Sequence, residues 1–509
     1  MGLLVQFSET EQGTKNTVLV VTPLLIGIGL SIWLIRSGRL SRRMRWSVVL
    51  TPWLVILGFF SLVEVINNGD IGIVGWRWRW AAQLDEQLTL PEAGSSIADW
   101  QTTPQDYPRF LGNGYWAEIE NVELATDWQA NPPKELWRRK IGAGWSGFSI
   151  VGHYAITQEQ RGSDELTTCY EIRSGEIVWA HSDSVRWDPI GSGAFGGIGP
   201  RATPTIYGQR VITQGATGIV NCLDALTGKV IWSHDTLAEN QAGNIMWGKA
   251  GSPLIVPREE DGEVVVISVG GTDGRSLVAY DLESGKTIWS GGVRRSSYAS
   301  PVLTELLGQK QIISVNEYFV TSHRVDDGTI LWEHPWPGNS DTNATCSQPI
   351  PLSGDRVFLS KGYGIGSSLL QLSRADNGSI QVNPLWQPEV KQVMKTKMGN
   401  VVVHDGHIYG LDASLIECIE ISTGRKRWKK RRTPAIGHGQ IILIGETILV
   451  LSESGEVILV EASPKKYQEL TSMRVFPEDQ VTWNNPAFSA PYLLVRNAQQ
   501  VACFELPVK

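Results

Sequence analysis

The feature that most limits the fold is a repeat. A small residue is followed two positions on by an acidic residue, then by a Gly turn, then by a Trp four residues after the Gly. Cys169 precedes Gly175 and Trp179, Cys222 precedes Gly228 and Trp232, and Ala279 precedes Gly285 and Trp289. Ser322 stands before Gly328 and Trp332, and Cys418 before Gly424 and Trp428; a looser copy carries Gly378 and Trp386 with residues inserted between them. Counting Trp137 as well, successive tryptophans lie 42, 53, 57, 43, 54 and 42 residues apart. That period holds four short strands and their turns. Each Gly turn falls between β-rich runs, as in NCLDA before Thr227 and KVIWS after Gly228, which is a hairpin pattern. Repeated four-stranded units of this size predict a closed β-propeller.

Innermost strands are expected near Ser149, Pro204, Pro253, Pro301, Pro349, Asn400, Gln440 and Pro491, which makes eight blades. The last unit stops after three strands, whereas the Trp137 strand has no three before it. The Trp137 strand is therefore expected to complete the final blade, closing the ring and removing the free edges between its ends. In the seventh unit residues 462–467 replace the Gly turn, and Leu470 stands near the expected Trp. Cys169, Cys222, Cys418 and Cys503 occupy one repeat position. They are expected in different blades as small buried residues, too far apart for disulfides.

Ahead of the repeats lie two apolar segments, residues 18–35 without a charge and residues 46–66 with only Glu64. Each is long enough to cross a bilayer core of about 30 Å as a helix. Arg36, Arg39, Arg42, Arg43 and Arg45 crowd the loop between them. The positive-inside rule makes that loop cytoplasmic and puts both flanks on the other side. The expected organisation is a periplasmic tail (1–17), a two-helix anchor (18–66) with its cytoplasmic loop (36–45), a juxtamembrane linker (67–108) and an eight-bladed propeller (109–509) facing the periplasm from the bacterial inner membrane. The alternation Trp76-Arg77-Trp78-Arg79-Trp80 suits either a membrane interface or a short amphipathic strand. Net charge is −7, but residues 1–80 hold eight Lys/Arg against four Asp/Glu, leaving the rest at −11. An acidic body argues against nucleic acid as a partner.

The segment Cys222-Leu-Asp-Ala-Leu-Thr-Gly-Lys-Val-Ile-Trp232 resembles the tryptophan-docking motif of the pyrroloquinoline-quinone (PQQ) type propellers, a superfamily that includes quinoprotein alcohol dehydrogenases and BamB-like assembly lipoproteins. Tyr107-Pro-Arg-Phe-Leu-Gly-Asn113 is similar to the segment that opens many of them, and residues 158–162 and 199–205 resemble stretches of membrane-anchored bacterial members. The resemblance implies an all-β propeller in which Trp137, Trp179, Trp232, Trp289, Trp332, Trp386 and Trp428 dock on turns containing Gly175, Gly228, Gly285, Gly328, Gly378 and Gly424. It is specific for architecture and weak for function, because the superfamily holds both enzymes and scaffolds.

A PQQ dehydrogenase needs calcium held by side-chain oxygens, a catalytic Asp and flat walls around the cofactor. The expected channel-mouth positions are Trp145 and Ser146, Arg201, Lys249, Tyr298, Cys346, Lys397, His438 and Phe488. Three are cationic and none is acidic, a set that suits an anion and not calcium. No adjacent Cys-Cys pair and no C-x-x-C-H haem site occurs. The leading expectation is a non-catalytic scaffold without cofactor that contacts protein partners, with a PQQ- and calcium-dependent membrane dehydrogenase as the alternative. Two features depart from known members: BamB-like lipoproteins carry a lipobox cysteine, absent here, and membrane glucose dehydrogenases carry more than two N-terminal helices. Glu159 and Arg161 read as a structural pair at least as well as a functional one, and His153, His404 and His407 read as solvent-facing turn residues.

Overall fold

The computed structural model describes residues 12–37, 40–67, 73–91, 96–114, 116–189, 196–258, 262–338, 343–386 and 392–509. The chain divides into two compact units, residues 1–83 and 84–509. The first holds helices α1 (Gln12–Arg36) and α2 (Arg42–Leu62), both long and apolar enough to cross a membrane. The indole of Trp53 on α2 donates to Ser31 Oγ on α1 at 3.0 Å, and Arg45 caps the Ile35 carbonyl at 2.7 Å. The second apolar segment does not stay helical to residue 66. At Val63 it enters an antiparallel hairpin of Val63–Asn67 with Ile73–Trp78, where Glu64 pairs with Arg77 at 2.8 Å. Valine and isoleucine at 63, 65 and 66 favour this extended path. Trp76 and Trp78 therefore lie on a strand, and most of the tail before α1 lies outside the described residues.

The second unit is an eight-bladed propeller of antiparallel four-stranded sheets. Blade 1 is Ser149–Val151, Tyr154–Arg161, Asp164–Glu171 and Ile177–Asp183, and blades 2 to 7 follow in sequence with the same order. Blade 8 joins the two ends of the unit: Ala487–Ser489, Tyr492–Arg496 and Gln500–Glu505 pair with Lys134–Lys140. The expected ring closure is thus present. One boundary differs, because the innermost strand of blade 8 is Ala487–Ser489 and Pro491 sits in the turn after it. Residues from Leu84 belong to the propeller unit, so residues 84–91 and 96–108 of the expected linker pack on it: Ile97 is buried between blades 1 and 2, and Asp85 pairs with Arg186 at 2.7 Å.

The repeat residues have distinct tasks. The acid caps its own turn, as where Asp224 Oδ1 accepts from Thr227 N and Oγ1 at 2.9 and 2.7 Å. The glycine has positive φ, +69° at Gly228, where a Cβ would stand 2.5 Å from the Trp179 ring; only glycine allows that contact without strain. The indole then donates into the next blade's turn: Trp137 to Ile172 O, Trp179 to Ala225 O, Trp232 to Leu282 O, Trp289 to Val325 O and Trp386 to Ile421 O, all at 2.8 to 3.0 Å. The small residue stands across from the Trp on the paired strand, Cys169 opposite Trp179 and Cys503 opposite Trp137, which leaves room for the ring. All five cysteines are free, and these four are buried in separate blades.

Two members of the series behave otherwise. Trp332 donates to Gln311 Oε1 within its own blade at 2.7 Å, and no atom lies within 4 Å of a Cβ built on Gly378. Gly378 is not a docking glycine. In blade 7 the residue in Trp register is Thr471, paired with Leu459, and Leu470 is the bulged residue beside it.

A second ring of bonds joins the innermost strands. Before four of these strands a polar residue receives the backbone N–H of its counterpart one blade earlier: Gly147 N to Thr203 Oγ1, Thr203 N to Ser252 Oγ, Ser252 N to Ser300 Oγ and Gln348 N to Asn400 Oδ1, at 2.8 to 3.1 Å. At the opposite end of the channel residues 107–114 and 116–119 lie along the inner edges. Tyr107 bridges Ile150, Pro108 O accepts from Ile206, and Glu118–Ile119 adds a parallel fifth strand to blade 7.

Replacing Trp179, 2% exposed, with Ala is expected to cost about 3–5 kcal/mol. Thr471→Ala, in the same register without a dock, should cost under about 1 kcal/mol. Urea unfolding of the two variants checks the difference, and equal losses would contradict the docking assignment.

Candidate functional site

The mouth of the channel is built by the connections that lead from each outer strand to the next innermost strand. Trp145 donates to Gly196 O at 2.6 Å, and its ring packs on Trp483 at 4.7 Å between centroids. Arg201 is held by the carbonyls of Gly196, Gly197 and Gly199, with the Nη2 bonds at 3.0 and 2.6 Å to Gly196 and Gly197. Burial pulls its guanidinium down to about 10, offset in part by Tyr298 and Glu165. Tyr298 packs on the Trp247 ring at 5.3 Å. Lys249, 2% exposed, donates to Val269 O at 3.0 Å and Ser296 Oγ at 2.7 Å. Its contacts are neutral oxygens, and burial lowers its ammonium to about 7.

On the far side of the mouth Lys397 lies 5.3 Å from the Tyr363 ring, and both it and Lys361 act electrostatically on the half-buried thiol of Cys346. Lys361 is itself buried, donates to Trp336 O at 2.7 Å and is lowered to about 8 by desolvation. His438 is buried, and its backbone N–H donates to Glu453 Oε2 at 3.2 Å; Glu453 also receives the Trp483 indole at 2.8 Å. The structure thus joins Trp145 to His438 through Trp483 and Glu453. It gathers Arg201, Tyr298 and Lys249 on one side and Lys397 on another, not all six candidates in one cluster. Ser146 and Phe488 are buried in the wall.

Three residues of this region escaped the sequence reading: Lys361, Glu165 and Glu453. They come from the second strand, the third strand and the turn between them, whereas the mouth positions were sought only ahead of innermost strands. A polar residue ending an otherwise apolar second strand was the available signal, as at Lys361 and Asp412. Burial lifts the Glu165 carboxyl to about 7, and it accepts from Ala216 N at 3.2 Å. The mouth is therefore mixed in charge, with its acids apart.

Glu159 accepts from Arg161 Nη2 at 3.0 Å, Thr168 Oγ1 at 2.7 Å, Tyr170 OH at 2.9 Å and Gly142 N at 2.5 Å. Burial opposes its ionisation, but the charges of Arg161 and Arg496 and the hydrogen bonds from Arg161 and Gly142 N outweigh burial and hold the carboxyl below its ordinary range. Arg496 links blade 8 to Thr157 Oγ1, Gln158 O and Gly142 O, each at 2.9 Å. Every member is satisfied, so this network locks the blade 8 to blade 1 junction. At the other end of the channel a cavity of about 210 Å³ is lined by Asp106, Asn113 and Tyr207 among others. Asp106 there is engaged by Thr103 and Gly152 N.

The family model for the outer membrane protein assembly factor BamB matches residues 80–271 and, in a second overlapping register, 163–430. The chain belongs to the BamB family. BamB of Yersinia pestis is 24% identical over 324 residues, covering 58% of this chain and 72% of that protein. Among solved structures, BamB from Moraxella catarrhalis aligns with a TM-score of 0.50 at 14% identity, covering 74% of this chain and all of its own. The quinohemoprotein alcohol dehydrogenase ADHIIG of Pseudomonas putida aligns with a TM-score of 0.54 at 12% identity, covering 79% of this chain and 80% of that one. The two structures share the propeller fold with this BamB-family chain. The PQQ-like propeller expected from the repeat is thus present.

The described residues offer no cluster of carboxylates for the calcium of a calcium-PQQ pair. Among the described residues no three His, Cys, Asp or Glu side chains converge as metal ligands, and calcium wants six to eight oxygens. The ammonium and guanidinium groups of Lys249, Lys361 and Arg201 already donate to protein oxygens.

The low value for Lys249 makes a pH signature. The unfolded chain keeps this lysine protonated to about pH 10.4 whereas the folded one sheds the proton from about pH 7, so its contribution to stability rises across that window and is flat below it. Lys249→Met should lack that rise, which is at most about 1.4 kcal/mol per pH unit. Denaturant titrations of both proteins from neutral to alkaline pH check it, and parallel profiles would refute it.

Proposed function

We propose that this BamB-family propeller is a non-catalytic scaffold, anchored by its two apolar helices in the bacterial inner membrane with the propeller in the periplasm, where it binds protein partners in envelope or outer-membrane protein assembly. The observation that carries this reading is the internal satisfaction of the mouth. Its cations donate to backbone carbonyls and a serine hydroxyl, its carboxylates accept from backbone N–H groups and an indole, and among the described residues these groups form no constellation of nucleophile, base and oxyanion donors. Such a mouth offers shape and charge to a partner without bond-making groups. The name of the Yersinia pestis relative, an outer membrane protein assembly factor, points the same way. The Arg-rich loop between the helices supports the orientation.

The likeness to a quinohemoprotein dehydrogenase fold favours a second reading, an enzyme using PQQ and calcium to oxidise alcohols or sugars and feed membrane quinone. The two separate cleanly. For a scaffold, deleting the gene lowers the amount of folded β-barrel proteins in the outer-membrane fraction, and purified protein supplied with PQQ and calcium reduces no dye with alcohols or sugars. Chelator-sensitive dye reduction, with barrel levels unchanged in the deletion strain, would overturn the scaffold.

A further inference from the structure

We propose that the outer edge of blade 6, with the adjoining turn of blade 7, is a docking surface for an anionic phospholipid bilayer. The outer strand Lys426–Lys430 and its flanks read Arg-Lys-Arg-Trp-Lys-Lys-Arg-Arg over residues 425–432, seven cations in eight residues with no acid. Folding does not require them there. The equivalent strands Thr287–Gly291 and Ile380–Pro384 carry no charge, and Val230–Asp235 carries only Asp235. Two of the seven are committed inward: Lys429 pairs with buried Asp412, and Arg432 pairs with Glu456 and Glu469 at 2.8 Å each. These pairs neutralise Asp412, Glu456 and Glu469; Glu417 and Glu420 on the adjoining strand act on Lys426 and Arg427, and the seven cations still outnumber these five acids.

Arg425, Lys426, Arg427, Lys430 and Arg431 are exposed, and so are Lys465 and Lys466 on the blade 7 turn. The turn is held beside the strand by Trp428, whose indole donates to Ser463 O at 2.8 Å and packs on Tyr467 at 5.8 Å. Among the described residues, none of Arg425, Lys426, Arg427, Lys430, Lys465 and Lys466 makes an ion pair. The array follows an extended strand, about 3.3 Å per residue, along the outside of the ring and is not gathered into a pocket. A diffuse cationic strip matches a diffuse anionic surface better than a single bound group. The choice of lipid over an acidic protein rests on reading the helices as a membrane anchor, since that keeps a bilayer within reach of the rim.

The full-length chain, with Cys346→Ser and a fluorophore on Ser422→Cys beside the basic strand, is reconstituted into vesicles carrying headgroup-labelled lipid. Energy transfer should be stronger in phosphatidylglycerol-containing vesicles than in phosphatidylcholine alone, and should fall to the neutral value in about 1 M salt, where screening reaches within about 3 Å. Lys426→Glu, Lys430→Glu and Lys466→Glu combined should abolish the difference, and a label on Ser284→Cys in blade 3 should show none. Equal transfer in the two lipids overturns the proposal, as does binding to polyglutamate without any dependence on phosphatidylglycerol. Flotation with neutral vesicles tests the helices separately. A chain that does not float is instead assayed by sedimentation with anionic vesicles, where each neutralised cation should weaken binding about fivefold and unchanged binding overturns the proposal.

Discussion

The ring depends on one contact, an indole laid on a left-handed glycine turn. Trp179 on Gly228 shows its parts: the ring fills the space a Cβ would take, the ring N–H closes the Ala225 carbonyl, and Asp224 keeps the turn in shape. Through it blades 8, 1, 2, 3, 5 and 6 each hold the next blade at a fixed distance. The contact also explains two irregularities together. Blade 8 takes its third and fourth strands from opposite ends of the unit, so no turn joins Gln500–Glu505 to Lys134–Lys140. A Trp on blade 7 would find nothing to dock on, and Thr471 stands in its place.

This is why so much of the fold could be read from the chain. Acid, glycine and tryptophan serve one local device repeated at a fixed spacing, and the device leaves its pattern in consecutive residues. Where the device is absent the reading slipped. The sequence places the innermost strand of blade 8 at Pro491 and not at Ala487, because the preceding outer strand of blade 7 carries no Trp to mark where it begins. Gly378 looked like a docking glycine from its Asn-Gly turn alone, yet Trp332 turns to Gln311. The belt of Thr203, Ser252, Ser300 and Asn400 was visible only as residues ahead of an innermost strand, since each bond joins residues some 50 positions apart.

The mouth was less legible for a related reason. Connections between blades vary in length, so equal offsets from the innermost strand do not mark equal depths. Trp145, Arg201, Lys249, Tyr298, Lys397 and His438 all lie in those connections, but Trp145 and His438 are joined through Trp483, in another connection, and Glu453, in a turn within blade 7. Buried lysines such as Lys249 and Lys361 keep neutral oxygens as partners. Their ammonium groups are destabilised by burial without a counterion.

Charge outside the channel obeys a different constraint. A buried ion must be matched by hydrogen bonds or lose its proton, so the polar groups of the wall are drawn into closed networks such as that of Glu159, Arg161 and Arg496. Exposed ions face no such demand, because water solvates them at either blade edge equally well. A run of seven cations on one outer strand and its flanks, in a body (residues 81–509) of net charge −11, is therefore not explained by folding. The uncommitted charge of this protein lies on its rim, and not in the channel that its fold shares with a quinohemoprotein alcohol dehydrogenase.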